Sequence, residues 1–182
     1  NSGDHLAIVI NEILDLSKIE AGKWRLNQQS FEIDDSLTSV IKMMEPLAKH
    51  KEINLSYENH LNAPLLNIFS DKHALKRTVI NILSNAVKFT NNGGNIQCLV
   101  SSKDNDLYIK IEDDGVGIPE ERLEHVLNPF EQGHEAHELN EEGTGLGLAI
   151  VSELLKLIGG KLHLTSTVNV GTTATIVIPL AR

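Results

Sequence analysis

Asn81 and Asn85 stand four residues apart in NILSNAVKFT, Asp113 precedes two spaced glycines in EDDGVGIP, Asn128-Pro-Phe130 lies in NPFEQ, and Gly143-x-Gly-x-Gly ends the series in GTGLGLAI. Amide oxygens on a helix face can join the shell of a hard cation without cancelling its charge. An acid beside a flexible turn can accept a hydrogen bond from the amino group of a purine. A glycine loop that opens a helix offers free N–H groups and a positive dipole end to phosphates. In this order the residue types fit ATP and a metal ion.

The first asparagine pair needs a helix to make one stripe of it. A helix over 72–90 places Leu75, Val79, Ile82, Leu83 and Ala86 within about 100° as a core face, with Asn81, Asn85 and Lys88 within about 60° of one another to one side. Asparagine is a poor residue for a helix interior. Taken alone, the stripe reads first as a solvated amide face; with the motifs around it, Asn85 becomes a Mg²⁺ ligand, Asn81 its support and Lys88 a phosphate contact. In YIKIEDDGVGIP a half-buried strand with Ile109 and Ile111 on one face delivers Asp113 and turns at Gly115 and Gly117. The bland alternative is an Asp-Gly turn at a strand end, and the active one is a base pocket whose glycines let the backbone approach the ring. Gly143, Gly145 and Gly147 precede an apolar helix, but no Gly-Lys-Ser/Thr follows, and the spacing is not that of a dinucleotide fold. The loop is therefore a phosphate cradle or a hinge, and the acidic run from Glu131 to Glu142 beside it is expected to be a mobile lid.

The remaining elements frame these motifs. Residues 5–19 carry Leu6, Val9, Ile13, Leu16 and Ile19 at helical spacing, a stripe with little nearby to bury it, and Gly22 is expected to cap that helix. An extended piece runs from Trp24 to Ile33, and Asp34, Asp35 and Ser36 are expected to supply the N-cap of a helix bearing Leu37, Val40, Ile41, Met44 and Leu47. Strand-like runs occur at 53–58 and 66–70, a hairpin at 95–102 and 106–113, a helix from Leu146 to Ile158 ending at Gly159-Gly160, and a last pair of strands at 161–168 and 172–180. Hairpin neighbours with helices between them predict an α/β fold with a mixed sheet and helices on one face.

Composition narrows the partners. The chain has 182 residues, 41% hydrophobic, enough for one domain with a helical appendage. A net charge of −9 with no basic cluster argues against nucleic acid and anionic membrane surfaces, and an acidic protein that binds a polyphosphate needs a cation. The single cysteine, Cys98, allows no internal disulfide and suits a reducing, cytoplasmic setting; no apolar run of membrane-spanning length and no signal peptide are visible.

DKHALKRTVINILSNAVKFT, EDDGVGIP, NPFEQ and GTGLGLAI resemble the N, G1, F and G2 boxes of sensor histidine kinases, in that family's order. INEILDLSKIEAGK resembles the end of the second helix of the dimerisation and phosphotransfer domain, which assigns residues 1–22 to that domain and 23–182 to the catalytic ATP-binding domain. The resemblance implies a two-layer α/β sandwich of the Bergerat type shared with gyrase, heat-shock chaperones and MutL. It implies ATP and Mg²⁺ as cofactors, with Asn85 on the metal, Asn81 and Lys88 near the phosphates, and Phe89 against the base. By the same resemblance Asp113 meets the adenine amino group, Gly115 and Gly117 line its pocket, Phe130 anchors the lid, and Gly143, Thr144, Gly145, Leu146, Gly147 and Leu148 hold the phosphates. The partners it implies are the protein's own dimerisation domain, the receiver domain of a response regulator, and a second copy in the full-length protein, which could itself be membrane-anchored.

The family's phosphoacceptor box, His followed by an acid and then Thr-Pro or a similar pair, is missing. His5 is followed by Leu6 and Ala7, and His134 and His137 lie in GHEAHE without zinc-protease spacing. The expected function is thus the ATP-holding half of a histidine kinase. The alternatives are a pseudokinase that serves as a docking module and a serine kinase or ATPase of the same superfamily.

Overall fold

A computed structural model describes residues 2–63, 66–129 and 144–180, the side chains of residues 2–9 excepted. Phe130, Gly143, the segment 131–142 with His134 and His137, and the side chains of His5, Leu6 and Val9 lie outside the described residues. In chain order the elements are α1 (Ser2–Glu20), β1 (Gln28–Glu32), α2 (Ile33–His50), β2 (Asn54–His60), β3 (Asn67–Asp71), α3 (Lys72–Phe89), β4 (Asn95–Lys103), β5 (Asp106–Asp113), α4 (Glu120–Leu123), α5 (Gly147–Leu157), β6 (Lys161–Thr167) and β7 (Gly171–Pro179).

The main sheet has five strands in the order β2-β4-β5-β7-β6, with β1 and β3 forming a separate pair. β2 runs parallel to β4 and every other neighbour is antiparallel, so the sheet is mixed as expected. Alternation decides its two faces: Ile96, Cys98 and Val100 of β4, Leu107, Ile109 and Ile111 of β5, and Ala174, Ile176 and Ile178 of β7 are buried, while Lys110 and Glu112 point the other way and are exposed. α2, α3 and α5 cover the buried face, with contacts to β2, β5 and β6 respectively. The result is a two-layer α/β sandwich with one face of the sheet left polar. The hairpin turns through Asp104 and Asn105, both at positive φ (50° and 70°), the pattern of a tight turn that matches strand twist.

α1 ends as its sequence foretells. Gly22 sits at φ 64°, with Gly22 N–H donating to the Ile19 carbonyl (2.9 Å) and Lys23 N–H to the Lys18 carbonyl (2.8 Å), a Schellman cap. Its apolar stripe is not without cover, however. Leu16 and Ile19 are each 6% exposed and join Ala74, Leu146, Ile150 and Leu154 in a second core, with Trp24 packed against it. Asp15 also pairs with Arg77 of α3. Among the described residues of the stripe, Ile13 (39% exposed) is the one that opens to solvent.

The start of α2 differs from expectation. The helix begins at Ile33 with Glu32 as N-cap and no side-chain cap bond. Asp34 and Asp35 fall in its first turn, where they oppose the positive dipole end. Ser36 donates its hydroxyl to the Glu32 carbonyl at 2.9 Å. Backbone pairing supplies what a cap would, since Ile33 N–H donates to the Leu66 carbonyl at 3.1 Å. Among the described helix starts, that of α3 has a side-chain cap: Asp71 Oδ1 accepts from the amides of His73 and Ala74, both at 2.9 Å. Its other oxygen accepts from Asn27 N–H at 2.8 Å, which ties the approach to β1 onto the same residue. Among the described residues no helix is long and apolar enough to cross a membrane.

Because Asp71 serves three amides while 3% exposed, Asp71→Ala is expected to lower stability by about 2 kcal/mol, the upper end for a lost cap. Asp71→Asn, which keeps an acceptor at the cap, should cost less than about half of that. Urea midpoints at unchanged slope measure both.

Candidate functional site

α3 sorts its side chains as the projection requires. Leu75, Val79, Ile82, Leu83 and Ala86 are buried, whereas Asn81, Asn85 and Lys88 are half-buried along one side. Asn81 Nδ2 donates to the Gly147 carbonyl at 3.3 Å, linking the stripe to the first residue of α5. Lys88 Nζ lies 4.8 Å from the centre of the Phe89 ring, so the cation and the aromatic face at the helix end are organised together. Asn85 has no protein hydrogen bond among the described residues, although its neighbour in the stripe does.

Two adjacent aspartates, Asp113 at the end of β5 and Asp114 just after it, are told apart by the structure. Asp114 is consumed locally, its Oδ1 accepting from Asn95 N–H and its Oδ2 from Asn95 Nδ2, both at 2.8 Å. The Asn95 amide holds its carboxyl below the usual carboxylate range. Asp113 Oδ1 accepts from the amides of Gly115 (2.9 Å) and Thr172 (3.3 Å), and its Oδ2 has no protein hydrogen bond among the described residues. Burial pushes the Asp113 carboxyl up, the two amides counteract in part, and the charges of Asp114 and Glu112 add to the rise. A desolvated acid with its orientation fixed by one oxygen and the other oxygen free is suited to accept from a ligand N–H.

The glycines after Asp113 have a nearer reason than a ligand. A Cβ on Gly115 would lie 2.5 Å from the Phe89 carbonyl oxygen, and one on Gly117, at φ 73°, would lie 2.2 Å from the Thr167 carbonyl oxygen. These close approaches accompany Val116 N–H donating to the Phe89 carbonyl (3.2 Å) and Asn169 N–H donating to the Val116 carbonyl (2.8 Å). The turn is thus clamped between the end of α3 and the β6–β7 connection. Ser166 extends the clamp, accepting from Ile118 N–H at 2.7 Å and donating to the Gly171 carbonyl at 2.9 Å. Gly171, at φ 137°, would place a Cβ 1.9 Å from the Asp113 carbonyl oxygen. Ser166 and Gly171 were not among the expected site residues. Their only sequence signal is STVNVGTT, a turn between alternating runs, which points to a hairpin and not to a pocket.

The glycine loop is described from Thr144 onward. Thr144 Oγ1 accepts from Leu146 N–H at 3.1 Å, and Gly145 takes φ 70°. Leu146 is fully buried in the core shared with α1, so its side chain turns away from the cradle and its N–H is already taken. Gly147 faces open space, with nothing within 4 Å of a Cβ placed there. α5 starts with no side chain capping it, which leaves amides of its first turn available, and Leu148 stands half-buried beside them.

One helix therefore joins three motifs, reaching the Gly115–Gly117 turn through Phe89 and the first residue of α5 through Asn81. Among the described residues no group of three or more His, Cys, Asp or Glu could hold a metal ion by itself. A neutral amide oxygen such as that of Asn85 fits a Mg²⁺ whose other ligands are phosphate oxygens and water.

Residues 70–182 match the family described as histidine kinase-, DNA gyrase B- and HSP90-like ATPase. The circadian input-output histidine kinase CikA of Synechococcus elongatus is 37% identical over 98% of this chain and 24% of its own length. The autoinducer 2 sensor kinase/phosphatase LuxQ of Vibrio harveyi is 33% identical over 99% of this chain and 21% of its own. The chain thus spans about a quarter or less of these relatives. Full-length ShkA, solved in complex with AMPPNP, superposes with a TM-score of 0.86 at 29% identity, over 99% of this chain and 37% of that one. With the family match, the relatives and the fold in agreement, this chain belongs to the histidine kinase-, DNA gyrase B- and HSP90-like ATPase family, in its sensor histidine kinase branch.

Proposed function

We propose that this chain binds Mg²⁺-ATP and presents the γ-phosphoryl group to a histidine of a dimerisation and phosphotransfer domain, of which residues 1–22 are the closing part and 23–182 the catalytic partner. The observation that carries the reading is α3 with its two attachments. Asp113 Oδ2 is free on one side, the uncapped start of α5 stands on the other, and Phe89 and Asn81 hold both to the same helix. Adenine sits at Asp113, Gly115, Gly117 and Phe89. The phosphates reach Lys88, Asn81, Gly143, Thr144, Gly145, Gly147 and Leu148, with Asn85 completing the Mg²⁺ shell, and Phe130 anchors a lid over them. In the transfer the bond from the γ-phosphorus to its bridging oxygen breaks, a phosphorus–nitrogen bond forms, and ADP leaves. Such chemistry asks a protein mainly for positioning and charge neutralisation. The phosphohistidine then serves the receiver domain of a response regulator, in a homodimeric cytoplasmic module.

Calorimetric titration with ATP, with and without Mg²⁺, tests the core of this reading; no binding in either condition overturns it. Asn85→Ala should remove most of the gain in affinity that Mg²⁺ brings and leave metal-free binding unchanged, since only one inner-shell oxygen is deleted. Equal Mg²⁺ dependence in variant and wild type would take Asn85 out of the metal site.

Asp113→Asn should weaken adenine nucleotides by about 1–3 kcal/mol, because two amide hydrogens then face the purine amino group. A ligand N–H favours the ionised carboxylate. Adenosine, which has no phosphate to titrate, should bind with constant affinity above the raised Asp113 pKa and lose affinity as pH falls through it. That dependence should vanish in Asp113→Asn, and its persistence would point to another group.

None of the eight histidines of this sequence stands in an acceptor box. Incubation with labelled ATP should therefore leave little acid-labile, base-stable phosphate on this chain, and transfer should appear when a dimerisation hairpin carrying the acceptor is added. Stoichiometric phosphohistidine at His5 would overturn the assignment of residues 1–22.

A further inference from the structure

The last turn of α3 carries Lys88 and Phe89 and receives the glycine turn through the Phe89 carbonyl. Helix C-termini leave carbonyls without an intrahelical partner and concentrate negative potential. At this one, Ala86 is served by Thr90 N–H at 2.9 Å. The next two carbonyls, of Val87 and Lys88, are served by a side chain from another helix: Lys51 Nζ donates to them at 3.0 and 2.7 Å.

Lys51 is itself rigidly placed. It is the C-cap of α2, with its N–H donating to the Ala48 carbonyl (3.1 Å) and Ile53 N–H returning to the same carbonyl (2.9 Å). The Lys51 carbonyl accepts from Gly93 N–H at 3.0 Å, in the turn that leaves α3. One residue thus grips the exit of α3 twice, by its ammonium on the helix carbonyls and by its backbone on the following turn. Asn54 N–H adds a third tie to the Gly94 carbonyl at 2.9 Å.

We propose that Lys51 is a positioning residue of the nucleotide site, setting the place of Lys88, Phe89 and the Gly115–Gly117 turn by holding the carbonyls of Val87 and Lys88. The assignment rests on the nucleotide reading given above. An ammonium at a helix C-terminus is a charge-assisted donor, about twice as strong as a neutral one, and it opposes the dipole as well. Without it, both carbonyls lose a charge-assisted donor and the last turn loses its lateral fix. The effect should then appear where Phe89 meets Val116, at the base end of the site, with the Asn81–Gly147 link far up the helix untouched.

The test measures affinity for ADP with Mg²⁺ in Lys51→Met, Lys51→Gln and Lys51→Arg, at a temperature where thermal melts show each variant folded. Lys49→Met serves as control, because Lys49 is an exposed lysine two residues away. Lys51→Met is expected to weaken ADP by about five- to twentyfold. Lys51→Gln, which keeps a donor without the charge, should fall between Lys51→Met and wild type, Lys51→Arg should recover most of the affinity, and Lys49→Met should match wild type. If Lys51→Met does not fold, Lys51→Gln carries the comparison alone. Wild-type ADP affinity in a folded variant with a lowered melting temperature would make Lys51 a purely structural cap and overturn the assignment, as would equal loss in Lys49→Met. A wild-type chain that binds no ADP would instead remove the nucleotide reading, and this assignment with it.

Discussion

The orientation of α3 is the constraint on which the site depends. Its core face, from Leu75 to Ala86, is buried almost completely, and turning that face toward solvent would expose several large side chains at about 1.5–3 kcal/mol each. The polar stripe therefore has one place to point, along the open side of the helical layer. Rotation being settled by burial, only the two ends remain to be fixed. Asp71 fixes the beginning with two amides of the helix and one from outside it, and Lys51 and Val116 hold the end. Site geometry here is a by-product of packing a hydrophobic face.

Much of this was legible in the residues because the helix and the strands obey clean periods. α3 and α5 fell within one or two residues of their expected bounds, and the hairpin declared itself through two alternating runs around Asp104-Asn105. The capping residues were less readable. Asp34, Asp35 and Ser36 look like a cap and are not one, since a backbone hydrogen bond to the Leu66 carbonyl already occupies the helix start; Asp71 looks like the end of a strand and is also a cap. A local preference cannot reveal which of several polar residues has a backbone partner brought in from elsewhere in the chain.

The same limit applies to the site. EDDG contains two aspartates that are equivalent in sequence, and only the position of Asn95 shows that Asp114 is a brace while Asp113 Oδ2 keeps no protein partner among the described residues. Gly115 and Gly117 were recognisable as necessary, yet the necessity comes first from carbonyls of Phe89 and Thr167, residues before and after them in the chain. Lys51, Ser166 and Gly171 carry no motif at all. Cys98, by contrast, is simple to interpret: fully buried at the centre of the sheet, its thiol pushed up to about 12 by burial, it is a core atom without nucleophilic character.

Strand order has a consequence for how the chain acquires this form. β7 lies between β5 and β6, and the tip of the β4–β5 hairpin is fastened to it by Asn105 Nδ2 donating to the Leu180 carbonyl, a bond spanning 75 residues. Until β7 has been synthesised, β5 is an edge, with Leu107, Ile109 and Ile111 lacking the strand that flanks them in the finished sheet. Closure of so long a loop must precede any reward from the contacts it makes, so the latest-made of these seven strands is also the one that joins β6 to the rest of the sheet. A nascent chain stalled before residue 171 would hold Asp113 at a bare edge, with neither the amide of Thr172 nor a finished core behind it.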